Sequence, residues 1–508
     1  MSNLDSNAAW TYHDATKHSF ASIRNHPHAL DWANQPLPFK IYPALPILPL
    51  PRDVPQTGVA ALSAIAARVP TAIDVLPNLE AISQLLYLSA GITRARKYPG
   101  GEIYFRAAAC TGALYEVELY LVCADLPDLE AGVYHFAPAE FGLQKLRSGD
   151  YRGSLANATA EESSILHAPL SIVCTCTYWR NAWKYQARTY RHFGWDNGTL
   201  LANLLAVAAA QGLPARVVAG FVDADVNRLL DLDTQREVAF SLVALGNTLM
   251  SPPSAPSELS RLHLETVPLS VREVDYPAMR EMHVASSLDS TAEVEAWRGS
   301  PAPSEDSQAD VPMLALPAPS DAEISHDPIE QVILRRGSTR KFSHSSISIS
   351  QLATILERAT QGIPADFLDP FGAQLNHLYL IVNAVEGLEA GAYVFHRDRR
   401  ALECLKKGNF RAQAGYLDLE QALAADAAVA VFFLADLRAI LRRFGNRGYR
   451  AAQLEAGILG GKLYLGAYAQ RLGASGLTFY DDDVVKFFSP HAEGKSAIFL
   501  VAIGKSAK

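Results

Sequence analysis

The sequence predicts an α+β protein made of two tandem copies of one fold, closed on each other as an intramolecular pseudo-dimer. Three observations predict it. Segments on either side of residue 300 match at a nearly constant spacing, short strand-like runs alternate with long apolar helices, and a stretch dense in Ser, Pro and acid separates the copies. Leu129-Glu130-Ala131-Gly132 returns as Leu388-Glu389-Ala390-Gly391, and Tyr120, Tyr134 and Phe136 return as Tyr379, Tyr393 and Phe395, all 259 residues on. The same spacing carries Arg188, Tyr190 and Arg191 onto Arg447, Tyr449 and Arg450, while Val243 to Gly246 meets Val501 to Gly504 at 258. The expected organisation is an N-terminal arm (1–54), a first repeat (55–284), a linker (285–325) and a second repeat (326–508).

Composition narrows the class. With 49% hydrophobic and 19% charged residues, 508 residues can bury sizeable cores. Lys+Arg 45 against Asp+Glu 53 leaves a net charge of −8, which argues against a nucleic-acid partner or an anionic membrane surface. Five cysteines in so long a chain make no disulfide framework, and Cys174 and Cys176, alternate residues of an apolar strand, read as buried thiols. The first residues carry no signal-peptide pattern, and no apolar run reaches the roughly 18 residues of a membrane span. A cytoplasmic location is expected.

The elements follow in order. His13 and His18 lie in an arm that reads as docking material. A helix from Leu79 to Ala90 runs into Gly91, and its counterpart from Ile349 to Gln361 runs into Gly362. Strands are expected at 119–122, 171–175, 217–220 and 378–382. Helices near 200–211 and 458–471 are apolar on most faces and belong in the pseudo-dimer core. Asp327-Pro328-x-Glu330 reads as a helix start with Asp327 as N-cap, and Gly337 as its end.

Of known chemical motifs, no zinc spacing, no H-E-x-x-H and no nucleophile elbow occurs, and the Gly-Lys-Ser runs at Gly494 and Gly504 lack the first glycine of a phosphate loop. Arg336-Gly-Ser338-Thr-Arg340 follows a helix end, where two guanidiniums and a hydroxyl can converge on an oxyanion. Read alone, such a run is more often a solvated basic turn than an oxyanion site.

Arg336-x-Ser338-x-Arg340-Lys-Phe-Ser, followed by Ile-Ser-x-x-Gln-Leu, resembles the flavin-binding opening of the nitroreductase superfamily. Arg106-Ala-Ala-Ala-Cys110-Thr111-Gly112-Ala-Leu-Tyr115, the Trp183-Lys184-Tyr185 run and Gly220 to Val226 resemble its SagB-type azoline dehydrogenases, although Cys110-Thr111 replaces the usual Pro-Ser. The resemblance implies a tandem nitroreductase-like fold and FMN bound between the copies. It implies Arg336, Ser338, Arg340 and Lys505 at the phosphate, ribityl and pyrimidine end, backbone N–H groups of Gly476, Leu477 and Thr478 toward flavin N5, and Cys110, Thr111 and Gly112 arriving from the other repeat. It also implies Lys184 and Tyr185 as the catalytic base pair, where the bare residues alone favour a surface lysine and a packing tyrosine.

The copies differ in complementary ways. Aligning Gly91 with Gly362 sets Ile65, Ala67 and Val69 opposite Arg336, Ser338 and Arg340, and leaves 12 residues missing from the second copy where the first carries its Cys-Thr-Gly loop. Lys184-Tyr185 becomes Arg443-Phe444, and Asn247 stands in the place of Lys505. One complete FMN site per chain is expected, with its mate empty or filled by side chains. Three functions stay open: a SagB-type dehydrogenase acting on a heterocycle in a small molecule or modified peptide, an NAD(P)H-dependent nitro or quinone reductase, and a non-catalytic scaffold subunit.

Overall fold

Val429–Ala435 is a run of Val, Ala, Phe and Leu without a polar face, which suits a strand covered on both sides. It and its counterpart Leu170–Thr177, whose only polar side chains are small hydroxyls, are each buried along their length inside a seven-stranded sheet. The computed structural model describes residues 2–25, 27–70, 74–98, 101–299, 311–318 and 325–507. One sheet carries, in spatial order, Ile47–Pro49, Gly142–Ser148, Gly132–Ala137, Val117–Cys123, Leu170–Thr177, Glu237–Leu245 and Ala215–Val218. The other repeats the order with Met313–Ala315, Ala401–Lys407, Gly391–His396, Asn376–Val382, Val429–Ala435, Ser496–Gly504 and Gly473–Leu477, and every neighbouring pair in both sheets is antiparallel. The four expected strands are present. The third ends at Val218, because the N–H groups of Ala219 and Gly220 turn onto the Asp366 carboxylate at 2.9 and 2.8 Å.

Of three helix starts, two carry side-chain caps and one does not. Leu79–Ala90 is capped by the Asn78 side chain and ends at Gly91, and Ile349–Ala359 carries a full capping box from Ser348 and Gln351. Asp327, however, is not an N-cap. Ile329–Arg335 starts behind Pro328, and the Asp327 carboxylate instead pairs with Arg335 at 2.7 Å and Arg471 at 2.8 Å. Its carbonyl is already committed to the Ala61 N–H of the other repeat. The helix stops at Arg335, one residue before the arginine of the fork.

The centre of the molecule is a helix pair, Thr189–Ala210 and Arg447–Ala469, buried along nearly all its length. They cross where glycine removes the side chain. A Cβ on Gly198 would lie 2.5 Å from the Gly457 backbone, and one on Gly457 would lie 2.5 Å from the Gly194 carbonyl oxygen. At the start of each helix two arginines reach across the repeat boundary to one aspartate: Arg188 and Arg191 to Asp481 at 3.1 and 2.6 Å, Arg447 and Arg450 to Asp223 at 2.5 and 2.8 Å.

The arm and the seam take equivalent parts in these clamps. Arg191 donates to the His13 carbonyl and the Thr16 hydroxyl, as Arg450 does to the His283 carbonyl and the Ser286 hydroxyl. The His18 N–H donates to Asp481, as that of Leu288 does to Asp223. Each segment then supplies an edge strand, Ile47–Pro49 or Met313–Ala315, to its own repeat's sheet. The stretch expected as a linker therefore does more than connect: it holds a helix, Thr291–Trp297, capped by Ser290 and anchored by buried Trp297. Residues 300–310 and 319–324 of that stretch lie outside the described residues.

Burial alone would raise the Asp223 carboxyl, but Arg447 and Arg450 beside it lower it from 3.8 to about 2. Asp223→Ala leaves two guanidiniums buried without a counter-ion, and chemical denaturation is expected to show a loss of about 3–5 kcal/mol. Because the folded value is depressed, the stability Asp223 contributes is present above pH 3.8 and is lost as pH falls through about 2; the variant is expected to lack that limb of the stability profile.

Candidate functional site

Backbone pairing across the pseudo-two-fold axis fixes which residues correspond near the fork. Ala61 N–H meets the Asp327 carbonyl and Ile329 N–H meets the Val59 carbonyl, both at 2.9 Å. Further on, Val75 N–H meets the Asn247 carbonyl and Ser343 N–H the Lys505 carbonyl, at 2.8 and 2.9 Å. Val59 and Asp327, Ala61 and Ile329, and Val75 and Ser343 all stand 268 residues apart. The counterparts of Arg336 and Ser338 are therefore Arg68 and Pro70; the expected Ile65, Ala67 and Val69 are not. A gap after residue 75 had hidden this register, and the first copy keeps one arginine.

Arg336 is buried and spans the repeats: its Nε donates to the Ala107 carbonyl at 2.9 Å and its Nη2 to that of Arg106 at 3.3 Å. Burial lowers its pKa. The Ser338 hydroxyl lies 3.3 Å from the Tyr464 hydroxyl, and Arg340 is exposed beyond it. Gly476 does not leave its N–H open as expected, since Tyr464 accepts it. Leu477 is buried, and the Thr478 hydroxyl is buried with no hydrogen-bond partner among the described residues. Lys505 is exposed and held through its backbone.

The loop from the first repeat closes the other side. Thr111 donates its N–H and hydroxyl to Asp196 at 2.8 and 2.9 Å, and the Cys110 thiol lies 3.3 Å from Asp196 and 3.5 Å from Glu116. Burial, then mutual proximity, pushes Glu116 up, and burial does the same for Asp196. Burial and those acids also raise Cys110, which stays a thiol. The ligand-type atoms of this trio lie within 4.8 Å of one another, but the contacts above already use them to hold the loop. Gly112 sits at φ 63°, and a Cβ there would stand 2.9 Å from the Tyr185 hydroxyl.

Lys184 and Tyr185 end the helix Tyr178–Tyr185, after which Gln186 takes φ 51°, the turn Gly445 makes in the other copy. Lys184 is half-buried, and burial and then Arg340 lower its pKa. It makes no hydrogen bond or ion pair among the described residues and lies 5.3 Å from the Tyr185 ring centre. Its counterpart Arg443 is occupied, donating to the carbonyls of Ala296 and Arg298. The Tyr185 ring meets His192 edge-on at 4.7 Å, and burial followed by Asp196 pushes its pKa up.

Lys184, Tyr185, the 110–112 loop and the fork thus converge from both repeats. The donor set suits a flavin: buried and exposed guanidiniums for a phosphate, and an orphaned Thr478 hydroxyl for a polar ring edge. Sequence reasoning missed Tyr464, Glu116 and Asp196. The last carried a signal, because 259 residues on stands Glu455, which likewise holds the N–H groups of Leu375 and Asn376. The extra length of the first copy is also not the Cys-Thr-Gly loop but a hairpin, Ile92–Tyr98 with Gly101–Arg106, whose Arg94 donates to the Arg336 carbonyl at 2.7 Å. The mate site is not filled by side chains: a cavity of about 600 Å³ stands there, lined in part by Arg68 and Asn247.

Known proteins share this fold. A crystal structure of a protein described as a nitroreductase from Anabaena variabilis superposes with a TM-score of 0.77 at 25% identity, covering 98% of this chain and 99% of that one. A protein described as a nitroreductase from Methanocaldococcus jannaschii is 24% identical over 172 residues, 34% of this chain and 82% of that protein. The microcin B17-processing protein McbC of Escherichia coli is 30% identical over 149 residues, 28% of this chain and 51% of McbC, so the match spans about half of that relative. The nitroreductase family model matches residues 77–247 and again 333–505, once per repeat, and the chain belongs to the nitroreductase family of oxidoreductases as two fused copies.

Proposed function

We propose that the chain is an FMN-dependent dehydrogenase of the SagB type, oxidising an azoline-like heterocycle in a peptide or small molecule. The observation that carries the proposal is the convergence across the repeat boundary of an unoccupied lysine and tyrosine, the 110–112 loop and the arginine fork. The match to McbC, a microcin B17-processing protein, supports a peptide-derived substrate. Bound FMN supplies a two-electron acceptor for hydride. Arg336 and Arg340 hold its phosphate end, with Ser338 beside them, and Lys505 adds a cation at the C-terminal end of the site. Leu477 and Thr478 would hold the ring from the second repeat, and Cys110, Thr111 and Gly112 from the first. Lys184, made less basic by its half-buried place beside Arg340, takes the proton that leaves with the hydride, and the Tyr185 hydroxyl orients it.

Mass spectrometry of the cofactor released from purified chain is expected to find FMN; FAD, or NAD(P)H oxidation with a quinone but no azoline turnover, would overturn the assignment. Arg336→Ala is expected to weaken FMN by about 1.5–3 kcal/mol, the range for a hydrogen bond to a charged group, measured by flavin titration of apo protein.

Lys184→Ala and Tyr185→Phe are expected to keep flavin bound while slowing azoline oxidation by roughly a hundredfold or more. Because the neutral amine is the base, the parent rate is expected to rise with pH through a midpoint below the ordinary 10.5 of lysine, a limb absent from Lys184→Ala. Both variants turning over at the parent rate would remove the two residues from the reaction.

A further inference from the structure

The mate cavity has its own chemistry. At about 600 Å³ it is within the usual range for small-molecule sites, roughly 300–1,000 Å³. Smaller side chains widen it: 259 residues before Tyr464 and Tyr468, whose hydroxyls reach Ser338 and Thr339 in the other copy, stand Leu205 and Ala209. With Ile65 and Leu213 they make an apolar wall.

Three cations line that space, and two lack a carboxylate partner among the described residues. Arg216 is satisfied by Glu162 at 3.2 Å and Asp369 at 2.5 Å. Arg68, in the place of Arg336, stacks on Phe371 at 4.7 Å. Lys462 replaces Asn203 of the first copy, is only 4% exposed, and uses one of its three N–H donors, on the Gly362 carbonyl at 2.8 Å. A desolvated ammonium with spare donors in an apolar wall is costly unless an anion joins it. The flavin phosphate is a poor candidate, since Pro70 replaces Ser338 and Asn247 replaces Lys505.

We infer that this cavity is a second ligand site, distinct from the proposed flavin site, for a small organic acid with an apolar or aromatic body. The acid group pairs with Lys462, the body lies against Leu205 and Ala209, and Arg68 closes the entrance. The burial that pulls the Lys462 pKa down to about 8 is relieved when the anion is present.

The test is calorimetric titration of 2-naphthoate into the full chain saturated with FMN. One naphthoate per chain is expected, weakened about tenfold or more by Lys462→Met and abolished by Ala209→Tyr, which restores the tyrosine of the other copy; flavin absorbance per chain stays unchanged in both variants. The inference is overturned by no binding up to millimolar naphthoate, by equal binding of the neutral 2-naphthalenemethanol, by affinity unchanged in both variants, or by two flavins per chain. A chain that retained no flavin would defeat the proposed dehydrogenase and leave the naphthoate result to stand by itself.

Discussion

The molecule depends on how closely two helices approach. With glycine at 194, 198 and 457, the central helices touch backbone to backbone, nearer than any side chain would allow. That proximity lets Arg336 of one copy hydrogen-bond the Ala107 carbonyl of the other, and lets each arginine pair reach an aspartate across the boundary. A methyl group at Gly198 would push the copies apart and separate both halves of the candidate site together.

On that shared frame equal positions have taken different work. Lys184 has no hydrogen bond or ion pair among the described residues where Arg443 is tied to two carbonyls of the seam, and Tyr464 reaches Ser338 and Gly476 where the shorter Leu205 lines an open cavity. Asp196 and Glu455 kept one task, gathering the backbone N–H groups of the loop that enters the sheet. The differences sit at the candidate site and at the mate cavity, whereas the helix crossing and the clamps remain symmetric. Chemistry diverged while the assembly geometry did not.

The duplication was legible because side chains carry it: Tyr120 and Tyr379, or Arg191 and Arg450, stand at one spacing along the chain. The residues of the candidate site were legible through their resemblance to a family, and the structure does bring the fork, the loop and the Lys-Tyr pair together. Two things stayed hidden. The kinship of arm and seam is written in carbonyl groups, those of His13 and His283, which any residue could supply. The pairing of Arg68 with Arg336 is set by main-chain hydrogen bonds on both sides of the fork, and a gap between Val75 and Asn78, against the longer Ser343 to Ser348 of the second copy, shifts any alignment anchored farther along.

The seam also changes how variation acts on this molecule. In a two-fold homodimer every substitution occurs twice, so a lysine introduced at one cavity floor would enter both, including the one that must hold its cofactor. Here Asn203 and Lys462 occupy equivalent places and are separately encoded. One cavity could therefore drift toward a new ligand without any cost to its twin, and the joined chain is free to explore binding that a symmetric ancestor could have reached only by damaging itself.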